Sequence, residues 1–78
     1  MPADPKEVVE IALAVARRGD DLEPAIARLI RAVGFRRAPI ESGLELCCQE
    51  RIRHPDQRTV YDRAVDVLTA ALKTGLFR

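Results

Sequence analysis

Leu22-Glu23-Pro24-Ala25-Ile26-Ala27-Arg28-Leu29-Ile30-Arg31-Ala32-Val33 is the stretch that decides the fold. Its residues Leu22, Ile26, Leu29, Ile30 and Val33 fall at i, i+4, i+7, i+8 and i+11, the spacing of one buried helix face, and Glu23, Arg28 and Arg31 are left for water. Three other segments carry the same period, and strand patterning is absent. The reading is all-α: a small four-helix domain over residues 1–78, with helices at about 5–18, 22–33, 39–53 and 56–74 and short connections.

Upstream, Asp4-Pro5-Lys6-Glu7 opens the first helix. Asp4 can cap, Pro5 suits the first helical position with its preset φ, and Glu7 completes a capping box. Arg17 and Arg18 suit the carbonyl end of the dipole, and Gly19 suits a left-handed stop. Apolar residues cover most of this helix, so it is expected to lie at the centre of the bundle or to face a partner as well as its own core. Asp20 or Asp21 caps the second helix, which ends at Gly34.

Downstream, Pro39 is read as the first residue of the third helix. That helix places Ile40, Leu44, Cys47 or Cys48, and Ile52 on one face, with Glu41, Glu45 and Gln49 on another. His54-Pro55-Asp56 breaks the chain, because a residue before proline avoids the α region. Asp56 is expected to cap the fourth helix, whose face is Val60, Ala64, Val67, Leu68, Ala71 and Leu72. Lys73, Gly75 and Leu76 read as a Schellman-type end, with Leu76 packing back on the last turn.

Seventy-eight residues at 47% hydrophobic, 32% charged and net charge +1 describe one folded domain. Disorder is excluded, because it needs low hydrophobicity and high net charge. The near-neutral total supplies no global field for nucleic acid or anionic lipid. No stretch approaches the roughly 20 apolar residues of a membrane span. The amino terminus lacks the basic region and apolar run of a signal peptide. With adjacent free thiols at Cys47 and Cys48, a cytoplasmic setting is expected, and heavy use of Ala, Arg and Val suits a GC-rich bacterial genome.

A core this small supplies roughly 3–5 kcal/mol, and small domains often add a disulfide, a metal or a second subunit. Adjacent cysteines in a helix diverge by about 100°, and one histidine with no Cys-x-x-Cys leaves no metal site. Idealised packing or self-association remains, and self-association is the reading favoured.

Few residues suggest chemistry. The loop between the second and third helices resembles the spacing of a helix-turn-helix unit, with Gly34 in the turn, Ile40 as the first packed position and Arg36 and Arg37 as the phosphate-facing shoulder. With Arg28 and Arg31 this makes four arginines within ten residues, and phosphate contacts of that kind dominate nucleic-acid affinity. Glu41 and Glu45 near the start of the supposed recognition helix oppose it. Ser42-Gly43-Leu44 resembles the Asp-Ser-Leu attachment site of acyl carrier proteins, although here Glu41 precedes the serine and the chain is not acidic. His54 is the only histidine, and Glu50 and Asp56, close to it in sequence, are read as a surface residue and a helix cap rather than as an orienting acid. Asp62 and Asp66 are explained by ion pairing with Arg58 and Arg63.

The sequence therefore points to a non-enzymatic protein–protein interaction or regulatory adaptor module that needs no cofactor or metal and whose partner is a second copy of itself in a homodimer, another protein, or both. The expected contact surface is Val9, Leu13 and Ala16 on the first helix with Leu76 and Phe77 at the carboxyl end. The alternative is a DNA-binding regulator using Arg28, Arg31, Arg36 and Arg37.

Overall fold

The computed structural model describes residues 4–77. The reading of Met1, Pro2 and Ala3 as free of a leader lies outside them. Among the described residues four helices form: α1 Pro5–Arg18, α2 Leu22–Ala32, α3 Arg37–Arg53 and α4 Arg58–Leu72, with a 3-10 turn at Pro55–Gln57 joining the last two. No strand occurs among the described residues.

The start of α1 follows from its first residues. Asp4 is extended, and its Oδ1 accepts the Lys6 N–H at 3.0 Å. Gly19 closes the helix at φ 70°, a conformation that only glycine adopts without strain. At the end of α2, Gly34 (φ 67°) and Phe35 (φ 62°) are both left-handed. The Phe35 N–H reaches back to the Ile30 carbonyl at 3.0 Å, which pins the chain as it leaves the helix.

Three boundaries differ from the sequence reading. α3 begins at Arg37, so Pro39 occupies the third helical position. The first-turn N–H groups of a helix have no internal acceptor, so proline is tolerated there as well as at the first position. Asp56 does not cap α4: it lies inside the 3-10 turn, and Gln57 precedes the helix without a side-chain cap. α4 stops at Leu72, where the Lys73 and Thr74 N–H groups donate to the Ala70 and Ala71 carbonyls at 3.1 and 3.2 Å and Thr74 Oγ1 adds a bond to the Ala71 carbonyl at 2.8 Å. Gly75 is not left-handed. Leu76 stays 54% exposed, and Phe77 packs against the core in its place.

Packing resolves what periodicity left open. α1 and α4 form the central pair, α3 lies across both on one side, and α2 packs on α4 and α1 on the other. Val8 sits over Gly43 near the start of α1, and Arg17 near its end shares a groove with Glu50 and Tyr61. α1 and α3 therefore run the same way, while α4 folds back against α3 through the 3-10 turn. The Arg51–Asp62 ion pair at 3.0 Å fastens that hairpin. The core is built on Val8, Ala12, Leu29, Ile40 and Leu68, all fully buried, and no polar or charged side chain is buried among the described residues.

The central place of α1 explains its apolar character. Val9, Leu13 and Ala16, expected to meet a partner, are 5%, 7% and 8% exposed and belong to the chain's own core. The stripe of α2 is buried except for Leu22, which is 50% exposed at the helix start, where α4 covers only part of it.

The largest correction concerns α3. Ile52, placed on the core face by its i+4 steps from Ile40, is 79% exposed, whereas Ile40 is fully buried. Each i+4 step on a helix of 3.6 residues per turn drifts by about 40°, so three steps rotate the side chain by about 120°. The ridge Ile40, Leu44, Cys48, Ile52 accordingly climbs out of the core into water.

Candidate interaction surfaces

Apart from the half-exposed Leu22 beside Asp20, Arg63 and Asp66, three places on the described surface combine charged and apolar groups. The first is the outer face of α2. Arg28 and Arg31 project from it, exposed, and Arg36 stands just beyond it. None of the three has an ion-pair or side-chain hydrogen-bond partner among the described residues. Arg37 is held differently: its Nε contacts Glu41 Oε1 at 3.1 Å, and its guanidinium lies over the Phe77 ring at 5.8 Å. The four arginines are therefore not one free cluster. α2 makes no close backbone approach to α3, whereas the two helices of a helix-turn-helix unit pack on each other. The spacing of that motif is present without its geometry.

Along the same face of α2 lies an apolar notch of about 510 Å³, lined by Glu23, Pro24, Ile26, Ala27, Thr74 and Leu76. Leu76 thus forms a wall of this notch, and its neighbour Phe77 is the half-buried anchor that holds the tail in place.

The second place is a groove of about 590 Å³ between α1, α3 and α4. Val9, Leu13, Leu46 and Tyr61 line it, with Lys6, Glu10, Arg17 and Glu50 among them. At its α3–α4 end the His54 ring stacks on Tyr61 with centroids 5.6 Å apart and planes 4° from parallel. His54 Nε2 lies 3.3 Å from Glu50 Oε2. Burial, and then the Glu50 carboxylate, pushes the Tyr61 hydroxyl above its ordinary value. This cluster holds the turn between α3 and α4 together.

The third place is the outer face of α3, where Glu41, Glu45, Gln49 and Ile52 are exposed. Spacing alone puts the first three on one face and Ile52 on another, core-facing one; the structure brings Ile52 round to theirs.

Cys47 is fully buried and Cys48 half-buried. Burial, and then the adjacent Cys48, pushes the Cys47 thiol from 9.0 up to about 11. A thiol that resists ionisation is a poor nucleophile. At mildly alkaline pH a thiol-specific reagent should therefore titrate Cys48 quickly and Cys47 only as the protein unfolds, which mass mapping of the modified residue reads directly. Because the folded value lies above the unfolded one, this group's contribution to stability is complete below about pH 9 and declines as pH rises towards 11. Chemical denaturation between those limits should show stability falling with pH, and Cys47→Ala should flatten the slope.

No group of three or more His, Cys, Asp or Glu capable of holding a metal ion occurs among the described residues. No helix among them is long and apolar enough to cross a membrane. A scan against protein-family models, a search of curated proteins and a search of solved structures each found no match.

Proposed function

We propose that this chain is a small α-helical protein–protein interaction module of regulatory or adaptor type, without catalytic activity, that associates with further copies of itself in the cytoplasm. The observation that carries this reading is the apolar surface left in water once the core has closed. Leu22, Ile52 and Leu76 are 50%, 79% and 54% exposed, whereas 18 apolar residues among the described ones are buried in the core. Single exposed leucines are ordinary, but an apolar notch beside Leu76 and an isoleucine left mostly in water are features of contact surfaces. A small domain also gains stability from a second subunit that it cannot obtain from its own core.

Size-exclusion chromatography with light scattering, from about 10 µM to about 1 mM, tests the reading. Mass rising with concentration is expected. A constant monomer mass over that range overturns it.

One observation favours a second reading, duplex-DNA binding: Arg28, Arg31 and Arg36 lack partners within the chain. It requires a complex with mixed-sequence duplex that weakens steeply with salt and is lost when Arg28 and Arg31 are reversed in charge. The interaction-module reading expects no such complex.

A further inference from the structure

Three unexplained features fit one another across two copies: the bare Ile52, the unpartnered arginines of α2 and the apolar notch. We propose that the outer face of α3 in one copy docks on the outer face of α2 in the next, with Ile52 seated in the notch. This rests on the self-association reading and names its surface.

The match is one of shape and charge. Ile52 is an apolar knob at the end of a face that is otherwise acidic and polar, carrying Glu41, Glu45 and Gln49. The notch is walled by Pro24, Ala27 and Leu76, and α2 continues from it into Arg28 and Arg31. At about 1.5 Å per residue, Glu45 lies about 10 Å from Ile52 along α3, and Arg31 lies about 10 Å from Pro24 along α2. With the two helices antiparallel, Ile52 enters the notch while Glu45 faces Arg31, with Arg28 beside it. A symmetric pairing of α3 with α3 centred on its acidic stretch would instead set Glu41 and Glu45 against the glutamates of the other copy, and a symmetric pairing of α2 centred on its arginines would do the same to Arg28 and Arg31. Like charges facing each other suppress such arrangements.

The contact joins two different faces, so it is heterologous, and each copy carries both halves. Such contacts propagate into rings or open chains. Association should weaken as salt screens the glutamate–arginine contacts.

Two variants isolate the halves. Ile52→Glu destroys the knob and Arg31→Glu the receiving face; both positions are exposed, so circular dichroism and melting should match the unmodified chain. By light scattering each variant alone is expected to be monomeric where the unmodified chain associates. Mixed in equal amounts they should form a heterodimer of one copy each, because the knob of the Arg31→Glu copy still meets the intact notch of the Ile52→Glu copy. Association that survives both substitutions overturns this surface while leaving self-association standing. Loss of association in both variants without recovery on mixing overturns it in favour of a symmetric interface. A constant monomer mass for the unmodified chain overturns both.

Discussion

Leu68→Ala is expected to remove most of the stability of this domain. Leu68 is fully buried on α4, the helix that touches all three others. Truncating a buried leucine removes its transfer free energy and leaves a cavity, together about 2–5 kcal/mol. A single core of this size supplies roughly 3–5 kcal/mol in all, so the variant should be substantially unfolded in water. Urea denaturation followed by circular dichroism measures it, with Ile52→Ala as the control. Ile52 is 79% exposed, and its truncation should stay within about 0.5 kcal/mol. Equal losses at the two positions would show that the α3 ridge is packed after all.

The second large effect is expected at Gly43. Glycine in mid-helix ordinarily costs about 1 kcal/mol relative to alanine, so Gly43→Ala at a solvent-exposed position would stabilise the chain. Here the sign reverses. A Cβ at Gly43 would stand 2.5 Å from Val8 Cγ1 and 2.9 Å from Val8 Cβ, and neither atom belongs to a long flexible chain that can swing aside. α1 and α3 must separate to admit it, and overpacking of that kind costs about 1–3 kcal/mol. A lower denaturation midpoint is expected, recovered in part by combining Gly43→Ala with Val8→Ala, since residues in contact do not act additively. A higher midpoint for Gly43→Ala alone would mean that the two helices are not in close contact there.

These two positions mark how far the chain could be read without its structure. The buried face of α4, including Leu68, follows from spacing alone. So do the α1 start at Asp4 and stop at Gly19, because caps and left-handed ends depend on residues within one turn. Gly43 stood in the sequence as an ordinary helical glycine. Its role exists only because α1 crosses α3 at that point, and no local pattern records a crossing. The notch has the same origin, since Pro24 and Leu76 are brought together by the path of the whole chain.

The helices, their order and most of their inward faces are written in local spacing, because a period of 3.6 residues and the capping preferences are properties of single segments. Which helices became neighbours depended on the path of the whole chain. It placed α1 at the centre, where Val9, Leu13 and Ala16 are enclosed, kept α2 away from α3, and turned Ile52 outward. The physical reason is that periodicity fixes a direction around each helix axis, whereas burial depends on whether another helix lies in that direction, and for Ile52 none does.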